Sequence, residues 1–198
     1  INAFSPGVLE RVGLGHDAFL EANPSLIAVS TTLFGHSGPL SPVPGFGNMG
    51  AAMGGYYELT GWPDRLPAGP FLAYTDATSP RLTAALILAA LDWRARTGKG
   101  LSLDFSQAEG GVHFLAEAVL DQVVNGHLQS RMGNRDRWVA PHGVYPCGDP
   151  AEDSWVAIAC EQDEQWRRLA AVIGCDALAA LTVAERLERQ DELDAAIA

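Results

Sequence analysis

Residues 73–100 read AYTDATSPRLTAALILAALDWRARTGKG, and their pattern decides the class of fold. Within residues 80–97, Leu82, Ala85, Leu86, Ala89, Ala90 and Trp93 recur at the three- and four-residue spacing of one helical face. Gly98 stands where helices commonly end in a left-handed residue. Ser79 followed by Pro80 is the pairing of an N-cap with a first helical position, so the sequence predicts a helix over 80–97. Beyond it, residues 101–105 (LSLDF) read as a strand, and Ser106 as the cap of a long helix reaching about residue 125.

Toward the N-terminus the same alternation continues. Residues 61–73 form a loop rich in Pro and Gly, and residues 48–59 have a helical pattern so rich in Gly and Ala that another backbone can approach closely. Residues 35–45 form a long loop of the kind that carries chemistry, preceded by a buried strand over 26–30 (LIAVS). Two short helices over 6–14 and 16–22 open the chain, the first with Ser5 as N-cap and Pro6 as first helical residue, and Asn23-Pro24 stops the second. Toward the C-terminus an Arg-rich loop spans 131–138. Strands over 143–146 and 155–160 follow, joined across Gly148-Asp149-Pro150, and helices over 163–173 and 183–190 come last. Alternating strands and helices predict an α/β class. The change of character near Trp138 predicts a large α/β domain with a connecting helix over 1–130 and a small mixed domain over 139–198. The chain opens at Ile1 rather than at a methionine and residues 191–198 read as a helix still running, so we expect it to be part of a longer protein.

Composition excludes several function classes. With 198 residues, 47% of them hydrophobic and 19% charged, the chain can bury a core. A net charge of −11 gives a nucleic-acid backbone nothing to neutralise, so no nucleic-acid partner is expected. No apolar run is long enough to span a membrane and no basic, then apolar, leader opens the sequence, so a cytoplasmic protein is expected. Cys147, Cys160 and Cys175 are odd in number and lack CxxC spacing, which suggests neither a disulfide framework nor zinc. The five histidines are scattered, so no metal site is expected.

Asp76 has two readings. An Asp just ahead of a helix ordinarily caps it, but Ser79-Pro80 already fills that role in this sequence. A carboxylate near the positive end of a helix is then spare to act as a nucleophile.

FSPGVLERVGLG (4–15), NPSLIAVS (23–30), FGHSGPL (34–40), GGYYELTGWPDRLPAGP (54–70), YTDATSP (74–80) and RARTGKGLSLDFSQAE (94–109) stand in the order and spacing of the family III, or CaiB/BaiF, CoA-transferases. GNRDRWVAPHGVYPC (133–147) and WVAIAC (155–160) extend the resemblance, which looks most like the succinyl-CoA-dependent benzylsuccinate-type branch. The resemblance implies that the chain is the central portion of that fold, lacking the Rossmann-like N-terminal segment that supplies much of the CoA site and the C-terminal segment that completes the large domain. The fragment alone should then be inactive.

By the same resemblance Asp76 is the nucleophile that carries the acyl group through a mixed anhydride and an aspartyl-CoA thioester. Phe4 and Arg11 match CoA contacts, although Ala3 stands where the family often has Asn. Phe46 and Gly47 fall at the substrate site. Arg135 and Arg137, in MGNRDRWVAPHG (132–143), match a loop that covers the active site, where they could bind an acceptor carboxylate. Coenzyme A enters as acyl-CoA substrate, with no tightly bound cofactor, and the family's interlocked homodimer is the expected assembly. His113 reads as a core or interface histidine, and His36 and His142 as loop residues. The fold also hosts α-methylacyl-CoA racemases, whose proton-transferring histidine would fall near Phe46. A phenyl ring cannot exchange a proton, which disfavours that isomerase. A non-catalytic domain of a larger chain is the remaining alternative.

Overall fold

A computed structural model describes the backbone of residues 1–198 and every side chain but that of Pro150. The chain divides into two compact units, residues 1–61 with 65–131 and residues 62–64 with 132–198. No helix among the described residues is long and apolar enough to cross a membrane.

In chain order the first unit holds α1 (Val8–Arg11), α2 (His16–Ala22), β1 (Ile27–Thr32), α3 (Gly47–Gly54), α4 (Tyr56–Leu59), α5 (Tyr74–Thr97), β2 (Leu101–Ser106), α6 (Gln107–His113) and α7 (Ala116–Asn125). β1 and β2 pair in parallel, Ile27 opposite Leu101 and Thr32 opposite Ser106. A parallel pair needs a long crossover, supplied here by α3, α4 and α5. Gly100 fixes where β2 begins. Its N–H donates to the Pro24 carbonyl at 2.7 Å. A Cβ there would lie 1.8 Å from the Leu26 carbonyl oxygen, so no other residue fits. Ser106 caps α6 as expected, accepting the Glu109 N–H at 3.3 Å.

Several expected boundaries move. The first helix is not capped by Ser5 with Pro6 inside it; Gly7, at φ 78°, precedes Val8–Arg11, because a left-handed residue interrupts the helix one position after the proline. The expected 48–59 helix is two, separated at Gly55 with φ 100°. The helix after Ser106 is also broken. Phe114 and Leu115 donate to Gly111 and Val112 in i to i−3 bonds at 3.0 and 2.9 Å, ending α6 before α7 starts.

The largest correction concerns α5, which starts at Tyr74 and runs through Ser79-Pro80. The Asp76 and Ala77 N–H groups already donate to the Ala73 carbonyl, at 2.9 and 3.3 Å, so the helix is under way before the proline. Pro80 removes the N–H that would have bonded the Asp76 carbonyl, a single lost bond near the helix start. The buried face is also different from the expected one. Thr75, Thr78, Ser79, Thr83 and Ala90 are buried, whereas Ala85, Leu86, Ala89 and Trp93 are exposed. Small residues win because the neighbours are glycines: a Cβ on Gly50 would lie 2.5 Å from Thr75 Oγ1, and one on Gly111 would lie 3.0 Å from Thr75 Cγ2. α3, α5 and α6 therefore meet at backbone distance.

The second unit holds β3 (His142–Pro146), β4 (Trp155–Ala159), α8 (Asp163–Ile173), α9 (Val183–Glu188) and α10 (Gln190–Ile197). The two strands pair antiparallel, His142 opposite Ala159, across a turn in which Asp149 Oδ1 accepts the Ala151 N–H at 2.9 Å. The helix expected over 183–190 ends at Glu188, and the one expected over 191–198 is α10. The core gathers Ala140, Cys160, Trp166, Ala170, Leu178 and Leu193. Trp166 is fully buried and donates its indole N–H to the Leu178 carbonyl at 2.7 Å. Arg186 is fully buried as well, donating to the carbonyls of Ala140 at 2.5 Å and Leu181 at 2.8 Å and pairing with Asp163 at 2.8 Å. The three cysteines are free, and burial pushes the Cys160 thiol up from its ordinary value.

Candidate active site

Asp76 is the third residue of α5, not a residue displaced ahead of the helix, so the expectation that Ser79 frees it from the helix start is overturned. What its carboxylate does is nonetheless not ordinary capping. Asp76 Oδ2 accepts the N–H of Gly47, the first residue of α3, at 3.2 Å. The preceding residue, Thr75, fully buried, donates from Oγ1 to the Gly47 carbonyl at 2.8 Å. Consecutive residues of α5 thus take both backbone polar groups of one glycine. A Cβ on Gly47 would lie 2.6 Å from Asp76 Cγ and 2.8 Å from Oδ2, so the contact requires glycine. The N-terminal ends of α3 and α5 both point positive partial charge at the carboxylate. Asp76 is otherwise exposed.

Phe46 stands at the N-cap position of α3 and is 76% exposed. It lines a depression of about 390 Å³ with Ala3, Thr32, Phe34 and Met49, at the C-terminal end of β1. Phe4 lies in a different depression, about 320 Å³, with His16 and Phe19 over the first residues of β1. Around it Asn2 Nδ2 donates to Ser30 Oγ at 2.8 Å, and Ser30 Oγ meets His16 Nε2 at 2.9 Å. Arg11 is exposed at the end of α1. The structure therefore brings Phe46, Gly47 and Asp76 together; Ala3 and Ser5, on either side of Phe4, line the Phe46 depression, and Phe4 itself lines the other one. His36 is held by its backbone, which donates to Asp104 Oδ2 at 2.8 Å. His113, expected in a core or interface, is exposed in this chain with its ring 5.8 Å from that of Phe114, because α6 ends there and turns it outward.

In the second unit Arg135 is engaged by two carboxylates, Asp191 at 2.5 Å and Asp194 at 2.6 Å, and its hydrogen bonds to them, that to Asp191 first, push it above its ordinary value. Tyr145 donates to the other oxygen of Asp194 at 2.7 Å. Burial first, and that bond second, raise the Tyr145 phenol. These groups, with Trp62 and His142, line a depression of about 600 Å³. His142 Nδ1 lies 2.5 Å from the Asn134 carbonyl oxygen. The Arg137 guanidinium lies 5.0 Å from the Trp138 ring centroid, in cation–π range. Among the described residues no three His, Cys, Asp or Glu side chains are grouped to hold a metal. Sequence reasoning missed Thr75; its signal was a hydroxyl beside the candidate nucleophile, opposite a glycine-rich helix.

The first unit defines the class: a parallel α/β scaffold whose exposed carboxylate sits where two helices begin. The chain belongs to CoA-transferase family III, which it matches over residues 1–198. It is 36% identical to the succinyl-CoA–D-citramalate CoA-transferase of Chloroflexus aurantiacus, over 98% of this chain and 49% of that protein. It is 33% identical to the acetyl-CoA:oxalate CoA-transferase of Acetobacter aceti, over 98% of this chain and 50% of that protein. Among solved structures, a CaiB/BaiF family protein from Brucella suis superposes with a TM-score of 0.86 at 32% identity, covering 99% of this chain and 52% of that one. The chain spans about half the length of the curated relatives it matches.

Proposed function

We propose that the protein to which this chain belongs is a CoA-transferase that moves CoA from an acyl-CoA donor to a carboxylic acid, with Asp76 as nucleophile. The observation that carries the reading is the Asp76 carboxylate, fixed at Oδ2 by Gly47 and exposed otherwise. Oδ1 attacks the donor thioester carbon; the C–O bond of a mixed anhydride forms, the C–S bond breaks and CoA leaves as thiolate. The thiolate attacks Asp76 Cγ, forming a C–S bond and expelling the donor carboxylate. The acceptor carboxylate then attacks the same carbon and releases the thiolate, which takes the acceptor acyl group and restores Asp76. Each step conserves the thioester's energy as long as water is kept out.

Phe4 and Arg11 are the proposed CoA contacts, Arg11 through a phosphate. Phe46 faces the transferred acyl group. Arg135 and Arg137 are the proposed contacts for the acceptor carboxylate, Arg135 by exchanging its bond to Asp191, which is 94% exposed. Residues 1–130 would form part of the large domain and its connecting helix, and 139–198 the small domain, of a cytoplasmic homodimer. In support of the dimer, α5 presents Leu86, Leu88 and Trp93, and α7 presents Val119, Leu120, Val123 and Val124, to solvent. Faces of that kind mark covered surfaces. Sedimentation of the full-length protein as a monomer at high concentration would count against a dimer.

The test of the chemistry is mass spectrometry of the full-length protein quenched during turnover with succinyl-CoA and a panel of other CoA esters. A CoA thioester on the peptide bearing Asp76 is expected. No adduct with any donor would favour a non-catalytic domain, and deuterium uptake alpha to the thioester with no acceptor acid present would favour an isomerase.

A further inference from the structure

The aspartyl route sends two of its four attacks to the same atom, Asp76 Cγ: that of the CoA thiolate on the anhydride and that of the acceptor carboxylate on the thioester. In both, the oxygen that does not leave takes up the negative charge of a tetrahedral adduct. Resting on the mechanism proposed above, we infer that the Gly47 N–H is the oxyanion donor for these adducts, with Asp76 Oδ2 as the oxygen it holds.

The Gly47 nitrogen already stands 3.2 Å from Oδ2, so the donor is in place before charge develops there. An N–H···O⁻ bond shortens to about 2.7–2.9 Å, so the contact has room to tighten in the adduct. Gly47 is the first residue of α3, so its N–H has no partner within the helix and is left to Asp76. Glycine is required for the approach, since a Cβ at position 47 would lie 2.7 Å from the Asp76 backbone nitrogen as well as against the carboxylate. Thr75 is a positioning residue. Its hydroxyl grips the Gly47 carbonyl at 2.8 Å and so fixes the start of α3 relative to the carboxylate it serves. The bond from the Gly47 N–H also selects between the two oxygens: with Oδ2 held, Oδ1 is the one that attacks the donor.

The test replaces residue 47 of the full-length protein by glycolic acid, which exchanges the N–H for an ester oxygen and adds no Cβ. With succinyl-CoA as probe, formation of the Asp76 thioester should slow by about 10²–10³, the usual effect of losing one oxyanion donor, with KM for the CoA ester unchanged. Thioester formation at the native rate in the ester protein overturns the inference and leaves the aspartyl mechanism standing. No thioester in the unmodified protein overturns both. Should the ester protein not fold, the Thr75 pair decides: Thr75→Val should lower kcat about tenfold at constant KM, and Thr75→Ser should restore it. Equal kcat in the two variants overturns the inference.

Discussion

Replacing Asp76 separates a structural from a chemical role because the structure bounds the structural one. Asp76→Ala removes a single hydrogen bond, 3.2 Å from the Gly47 N–H, and one acidic side chain in the first turn of α5. A partly solvated hydrogen bond contributes about 0.5–1.5 kcal/mol and a first-turn acid about 0.3–1 kcal/mol, so the fold should lose no more than about 2.5 kcal/mol. Asp76→Asn keeps an oxygen for the Gly47 N–H and should lose less. Both variants lack the proposed nucleophile, and deleting the nucleophile of a covalent enzyme costs on the order of 10⁶ in kcat. The assay is chromatographic conversion of acyl-CoA by the full-length protein, beside its thermal unfolding and its binding of CoA esters. We expect transfer to vanish in both variants while folding and ester binding persist. Near-normal turnover in Asp76→Ala together with a lower melting temperature would show that Asp76 only supports the start of α3, and would refute the mechanism.

Three further outcomes follow from packing and titration. Arg186→Met leaves Asp163 and the Ala140 and Leu181 carbonyls without their donor, and should cost about 3–5 kcal/mol in urea unfolding; Arg186→Lys should not restore it, because an ammonium lacks the planar fork that reaches all three. Gly100→Ala drives a Cβ to 1.8 Å from the Leu26 carbonyl oxygen, backbone that cannot step aside, and should destabilise by about 3 kcal/mol or more, read by the same unfolding assay. The Tyr145 phenol is raised by burial and then by Asp194, so the folded state holds its proton longer than the unfolded chain does. Stability from this group is complete below the ordinary tyrosine range, about pH 10, and declines as pH rises from there toward the folded value. Tyr145→Phe should flatten that alkaline decline in the urea midpoint, and an unchanged slope would show that other groups cause it.

Local signals were legible where one residue decides an element. The Ser106 cap, the strand before it and the span of α8 could all be read from residue type and spacing. Apolar periodicity alone failed on α5, for a physical reason. A helix that is apolar on several faces offers more than one stripe at helical spacing. In this chain the buried one is the stripe of small hydroxyl residues, Thr75, Thr78, Ser79 and Thr83, of which Thr75 enters a contact lined by Gly50 and Gly111, while Leu86, Leu88 and Trp93 stay in solvent. Size complementarity with glycines 25 or more positions away cannot be seen in a window of one helix. The break between α6 and α7 is of the same kind, since residues 107–125 contain no proline to announce it.

The proposed site residue could be named from the sequence, but the arrangement around it could not. The sequence argument for Asp76 rested on Ser79 and Pro80 starting the helix, and α5 takes that premise away by starting at Tyr74. A stronger argument replaces it. An acid at the third position of its own helix is a common stabilising choice and by itself says nothing about chemistry. The Asp76 carboxylate instead reaches Gly47, 29 residues earlier, and that glycine is itself gripped by Thr75. A simple helix cap needs neither a second helix aimed at it nor a glycine whose only tolerated side chain is hydrogen. The proposed route through an anhydride and a thioester, with one oxygen held and the other presented, would use both.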